Sequence, residues 1–178
     1  MQNIIELKSI SELLQYFTGE ITTTTATKKY ACTGIGTGLT AGEIVLFSVF
    51  DQTSSNGEKT LATVAANEIT VSETIGTGET KAGAKLHQIY YTAWEDASFY
   101  THITGTGYVV GANCTVTQQF RYSSAGNILS ASAQTLTAGT AAAITAVAVP
   151  SLQWRCRFAL TGDADLTVAE VRLFGVTP

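Results

Sequence analysis

A chain of 178 residues with 45% hydrophobic but only 13% charged side chains can form one ordinary domain or two small ones around a proper core. Its charge complement falls well below the usual ~25%, which fits a neutral, Thr-coated surface or, the favoured reading, a surface covered by neighbouring subunits. The formal net charge of −4 has the wrong sign for phosphate recognition, and apart from Lys28-Lys29 the cations are scattered, so no direct nucleic-acid contact is expected.

The chain opens on Met1-Gln2-Asn3-Ile4-Ile5-Glu6-Leu7-Lys8, without the basic stretch and apolar run of an export signal. No later segment reaches the ~18 apolar residues of a membrane span. Synthesis in a cytoplasm, with no signal peptide and no membrane partner, is expected. Leu7, Ile10, Leu14 and Phe17 recur at spacings that place them on one face of a helix. Ser9-Ile10-Ser11-Glu12 matches a capping box, which starts that helix near Ile10 and leaves residues 3–8 extended, and Gly19 marks its stop. So short a helix must dock, either as a lid on its own sheet or as an assembly arm on a neighbouring subunit.

From residue 20 the apolar period becomes two. Segment 152–160 is the clearest case: Leu152, Trp154, Cys156, Phe158 and Leu160 take one face, and Gln153, Arg155 and Arg157 take the other. Comparable runs cover 43–50, 59–65, 68–73, 85–92, 115–122, 128–137, 142–149 and 166–174. Between them stand turn signals such as Ser55-Asn56-Gly57, Ala66-Asn67, Ala125-Gly126-Asn127 and Gly162-Asp163. Short strands at about ten-residue spacing predict a mainly β fold, an antiparallel β-sandwich or a small β-barrel plus a β-sandwich, with a short N-terminal helix. The small, polar stretch 76–84 divides the β region. The expected organisation is an arm over 1–19, a barrel-like module over 20–78 and a sandwich over 79–178, the two β parts tightly packed or forming one domain.

Each motif-like feature has a plain structural explanation. Three Gly-Thr-Gly triplets, at 36–38, 76–78 and 105–107, are expected as hairpin punctuation. The first continues to Ala41 and mimics a dinucleotide fingerprint, but the run after it reads as a strand rather than a helix. His87 and His102, with Asp51 or Glu95-Asp96, offer acid–base groups, yet no nucleophile elbow supports a triad. Asp163-Ala164-Asp165 is turn chemistry before it is a calcium site. Asn113-Cys114-Thr115 is a glycosylation acceptor without an export signal. Cys32, Cys114 and Cys156 form neither a CxxC pair nor a zinc spacing and are expected as small buried hydrophobes. No catalytic residue, metal or cofactor is expected. The aromatic stretch Tyr90 to Tyr100 is expected as a core strand plus a turn, or else as a glycan or partner surface built on Tyr91, Trp94, Glu95 and Asp96.

One region resembles a known family. Gly42-Glu43-Ile44-Val45-Leu46-Phe47-Ser48, then Asn56-Gly57-Glu58-Lys59-Thr60-Leu61-Ala62-Thr63-Val64, then Asn67-Glu68-Ile69-Thr70-Val71-Ser72-Glu73 is similar to a small β-module of tailed-bacteriophage virion proteins. That module runs from a strand opening Gly-Asp-x-Ile, through an Asn-Gly turn, to a closing Ile-Thr-Val, and this chain has Glu43 where Asp is usual. The stretches 154–162 and 168–174 look like the closing hairpin of phage-type sandwich domains. The resemblance implies a virion structural protein, a capsid decoration (cement) protein or a tail, fibre or adaptor protein. Such a protein is non-enzymatic and self-associating, a homo-oligomer with a trimer favoured, attached to other virion proteins. The alternative is a receptor-binding, glycan-binding sandwich module.

Overall fold

Runs rich in β-branched and aromatic residues alternate with polar ones and stop at Gly, Asn or Asp, which is the composition of half-buried antiparallel strands. A computed structural model describes residues 2–7, 16–150, 152–161 and 166–178 and shows a mainly β protein. Its strands are β1 (Gln2–Leu7), β2 (Tyr16–Thr24), β3 (Lys29–Ala31), β4 (Ile44–Ser48), β5 (Gly57–Ala65), β6 (Glu68–Val71), β7 (Thr80–Gln88) and β8 (Tyr90–Tyr91). They continue as β9 (Glu95–Asp96), β10 (His102–Val110), β11 (Asn113–Arg121), β12 (Leu129–Ser130), β13 (Gln134–Leu136), β14 (Ala142–Ala148), β15 (Gln153–Thr161) and β16 (Val168–Val176). No helix among the described residues is long and apolar enough to cross a membrane. The chain divides into two compact units, Gln15–Ile89 and Met1–Leu14 with Tyr90–Pro178.

The first unit is a closed antiparallel barrel in the order β2-β3-β6-β5-β4-β7. Closure removes every sheet edge. Ile21, Tyr30, Val45, Phe47, Leu61, Ile69 and Leu86 fill its interior. The Tyr30 ring stacks on Phe47 at 3.9 Å, and its hydroxyl donates to the Ser55 carbonyl at 2.8 Å. Burial, reinforced by the charges of Glu73 and Glu79, raises the Tyr30 pKa and keeps the phenol a neutral donor.

The barrel corrects two expectations. Phe17 and Gly19 lie inside β2, so the helical face predicted through Leu7, Ile10, Leu14 and Phe17 does not hold at its last member, and Leu7 lies on β1. Ile10, Leu14 and the predicted helix start fall outside the described residues. In β2, Ile21 and Thr23 are buried while Thr18, Glu20 and Thr22 are exposed. This β-branched alternation outweighs the helical spacing of the apolar residues before it. The divider at 76–84 and the arm over 1–19 are also redrawn. Residues 80–88 are the strand that closes the barrel, while β1 joins the other unit. The loop before β7 is tied in by the Glu79 carboxylate, which accepts from the Asp51 and Gln52 backbone N–H groups, both at 3.2 Å.

The β4–β5 hairpin is closed by a loop longer than an Asn-Gly turn. Here the Asn56 side chain acts as a backbone substitute, accepting from the Phe50 N–H at 2.9 Å and donating to the Phe50 carbonyl at 2.8 Å. That clamp holds Val49 at φ 77°, a left-handed conformation that costs an L-residue roughly 1–2 kcal/mol and a β-branched one no less. Replacing Val49 with asparagine, which tolerates this region, is expected to stabilise the protein by about 1 kcal/mol. A raised urea midpoint with an unchanged m-value is the readout.

The second unit is a sandwich. One sheet has the order β1-β16-β10-β14. The other has β12-β11-β15-β8, with β13 also paired to β11 and β9 to β15. Cys114, Val116 and Phe120 of β11 and Trp154, Cys156, Phe158 and Leu160 of β15 are buried, as are Ile103, Val109, Val171 and Leu173 of the four-stranded sheet. The alternation read over 152–160 is the observed one, except that Leu152 precedes the strand and is exposed. The triplet at 105–107 is not a turn. It lies within β10, opposite Leu173 to Val171 of β16. Cys114 and Cys156 are buried and Cys32 half-buried, all as free thiols. Burial pushes the Cys114 thiol up to about 12 and raises that of Cys156, so neither is an available nucleophile.

Candidate functional site

Strict alternation puts Gln153, Arg155 and Arg157 of β15 on the face opposite Trp154 and Cys156, away from the core. The ladder sets Arg121, Gln119 and Thr117 of β11 beside them, in the pairs Arg121↔Gln153, Gln119↔Arg155 and Thr117↔Arg157. Three of the chain's four arginines therefore share one sheet face. On the far side of β15, Tyr91 of β8 stands opposite Arg157.

The guanidiniums and rings of this face interlock. Arg121 lies 4.1 Å from the centroid of the Trp94 ring, and Arg155 lies 4.5 Å from it and 4.3 Å from that of Tyr91. Such contacts are worth ~0.5–1 kcal/mol each at open sites and more when desolvated. The Nε–H groups are directed as well. Arg121 donates to Gln153 Oε1 and Arg155 to Gln119 Oε1, both at 2.8 Å, and Arg157 donates to the Tyr91 hydroxyl at 3.4 Å. The arginines are thus held as oriented, half-buried planes rather than as mobile chains. Burial lowers the Arg155 pKa from its ordinary value; Tyr91 opposes this and the neighbouring Arg121 charge adds to it.

The ion pairs Lys29–Glu68 and Lys81–Asp51 both lie in the barrel. Among the described residues, no carboxylate is within ion-pairing distance of Arg121 or Arg155. Asp96, exposed on β9 opposite Gln153, accepts from the Ser98 N–H at 2.9 Å. Its bonding to Ser98 holds its pKa below the usual carboxylate range. Glu95 shares the register position of the inward-facing Trp154, so of the four residues predicted as a surface, Tyr91, Trp94 and Asp96 reach this face and Glu95 does not. Sequence reasoning missed Arg121, although the β15 alternation had already placed Arg155 and Arg157 together.

Where the ladder ends, at Arg121↔Gln153, the surface turns apolar. Tyr122 follows Arg121, Leu152 precedes Gln153, and the Ala97 N–H donates to the Leu152 carbonyl at 2.8 Å, which brings Phe99 to the same end. Leu129 stands opposite Phe120, next to Ile128. These five side chains are 47–73% exposed, more large apolar surface at one end than singly scattered exposed hydrophobics make.

The four-stranded sheet ends in β14, whose free edge borders a groove of about 660 Å³ lined by Ala131, Ala133, Gln134, Thr145 and Val147. Gln134 covers part of that edge, donating to the Ala143 carbonyl at 2.5 Å and accepting from the Thr145 N–H at 2.7 Å. Its amide makes the two bonds that a pairing strand would make. The histidines fall in different units, His87 buried on β7 and His102 exposed on β10. Asp163 and Asp165 are outside the described residues. No protein-family model, curated protein or solved structure matches the chain.

Proposed function

We propose that this protein is a non-enzymatic structural component of a phage-like virion, a homo-oligomer attached to a capsid or tail through surface contacts. The observation that carries the reading is the exposed apolar end of the sandwich, Phe99, Tyr122, Ile128, Leu129 and Leu152. It sits on a chain with only 13% charged residues to keep copies apart. Truncating central interface residues typically costs ~2 kcal/mol or more. Tyr122→Ser with Leu152→Ser is therefore expected to convert the oligomer to monomer in sedimentation velocity at unchanged thermal stability. A wild-type protein that sediments as a monomer at high concentration would overturn self-association. Mass spectrometry of purified particles tests the virion assignment, and absence of the protein from them would overturn it.

A second reading is favoured by the Tyr91–Trp94 pair among three arginines. It makes the outer face of the six-stranded sheet a glycan-binding surface, as in a receptor-binding module.

A further inference from the structure

We infer that the arginine–aromatic face is a binding site for a saccharide that carries a carboxylate, such as a uronic or sialic acid residue. This inference rests on the glycan-binding reading and specifies its ligand.

The first ground is charge. Arg155 and Arg157 are two residues apart on one strand, which sets their Cα atoms ~7 Å apart on the same face, and Arg121 lies diagonally across from Arg155. Three like charges crowded together repel one another. Their alignment persists because ring faces and glutamine oxygens hold it, with no carboxylate within ion-pairing distance of Arg121 or Arg155 among the described residues. The Nε–H groups of Arg121 and Arg155 are spent on Gln153 and Gln119, and Arg121 Nη1 also donates to the Ser124 carbonyl at 3.1 Å, so what the pair offers a ligand is chiefly the Nη edge of the fixed Arg155 plane, the geometry that grips a carboxylate.

The second ground is the company the cations keep. Tyr91 and Trp94 are half-buried, so part of each ring meets solvent beside the guanidiniums, whereas Gln119 and Thr117 are buried, the Gln119 amide being bonded to Arg155 and Ser130. A saccharide uses both parts of such a face, its C–H side on the exposed portions of the rings and its acid on the arginines. An acidic peptide side chain uses the arginines alone. A polyanion such as nucleic acid is disfavoured because the chain as a whole carries −4 and repels extended negative charge, whereas a single carboxylate is screened except at close range.

The test uses the intact wild-type protein and two spectroscopic reporters. Only four arginines occur in the chain, so the side-chain Nε–H resonances can be assigned individually, with Arg172 on β16 as the internal control. Titration with sialyllactose at physiological salt is expected to shift the Arg121, Arg155 and Arg157 signals and leave Arg172 in place. Trp94 emission should change saturably, while Trp154, buried and bonded to Gln118, supplies a constant background that Trp94→Phe measures for subtraction. Arg155→Gln is expected to weaken binding about tenfold or more, as for one charge-assisted contact. Should that variant fold poorly, the wild-type arginine shifts decide alone. A response to lactose equal to that to sialyllactose would overturn the carboxylate and leave a glycan face. An equal response to hexaglutamate would overturn the saccharide in favour of an acidic protein partner. No response to any probe would overturn both the inference and the glycan reading, and would leave the assembly proposal untouched.

Discussion

Replacing Trp154 with alanine is expected to remove about 3–5 kcal/mol of stability, the cost of emptying a large aromatic site in a core that can collapse only in part. Trp154 is fully buried on β15. It is also one end of a polar bolt between the sheets. Its Nε1–H donates to Gln118 Oε1 at 3.1 Å, while Gln118 Nε2 donates to the Ile103 carbonyl at 3.3 Å and the Thr145 carbonyl at 3.2 Å. One side-chain amide on β11 thus ties its own sheet, through Trp154, to two strands of the other. Gln118→Leu keeps the volume but strands three polar groups, each worth ~1–3 kcal/mol if fully buried, so a loss of about 3 kcal/mol is expected. Trp154→Phe combined with Gln118→Leu should cost less than the two single changes added, by 0.5 kcal/mol or more, since both break one bond. Urea unfolding of the four variants reads the cycle. A Trp154→Ala loss below about 1 kcal/mol would mean that the core repacks freely.

The second large effect is expected at Gly105. A Cβ there would overlap the Arg172 carbonyl oxygen and stand 2.8 Å from Leu173 Cδ2. Gly105 is paired on both sides, to Leu173 of β16 and to Ile144 of β14, so the backbone it would strike cannot retreat without breaking a ladder. Gly105→Ala is expected to cost about 3 kcal/mol, at the upper end for overpacking. Gly83 makes the opposite comparison. It has φ +71° and open space around a built Cβ, so Gly83→Ala meets only the left-handed penalty of roughly 1–2 kcal/mol. Unfolding midpoints that rank the two the other way would refute the steric account.

The same glycine explains why β10 was hidden from sequence reading. Strand periodicity is carried by side chains, and β10 has none at Gly105 and Gly107 because the Arg172 carbonyl and the Leu136 side chain occupy that space. The stretch therefore looks like a turn. β15 was legible because Trp154, Cys156, Phe158 and Leu160 alternate without a break against Gln153, Arg155 and Arg157. β2 was obscured because Phe17 continues a helical spacing begun before it, and its pairing with β7 and β3 in the closed barrel fixes it as a strand. The candidate site was half legible for a related reason. Two arginines on one face follow from alternation within a strand. Arg121 joins them only through the register of β11 with β15, and Trp94 lies between strands, where no period reports its direction.

The interruption of the sandwich by the barrel shapes the order of events during synthesis. β1 is translated first, yet it pairs with the last strand, Gln2 standing opposite Gly175. At ~5–20 residues per second, β1 waits roughly ten to thirty-five seconds for its partner to be made. The barrel strands lie in one contiguous stretch and can close in the meantime. On a polysome, several growing chains therefore carry an unpaired β1 at the moment a neighbour completes its β16, and until that neighbour's own β1 has covered the new edge, the first strand to reach it need not come from the same molecule.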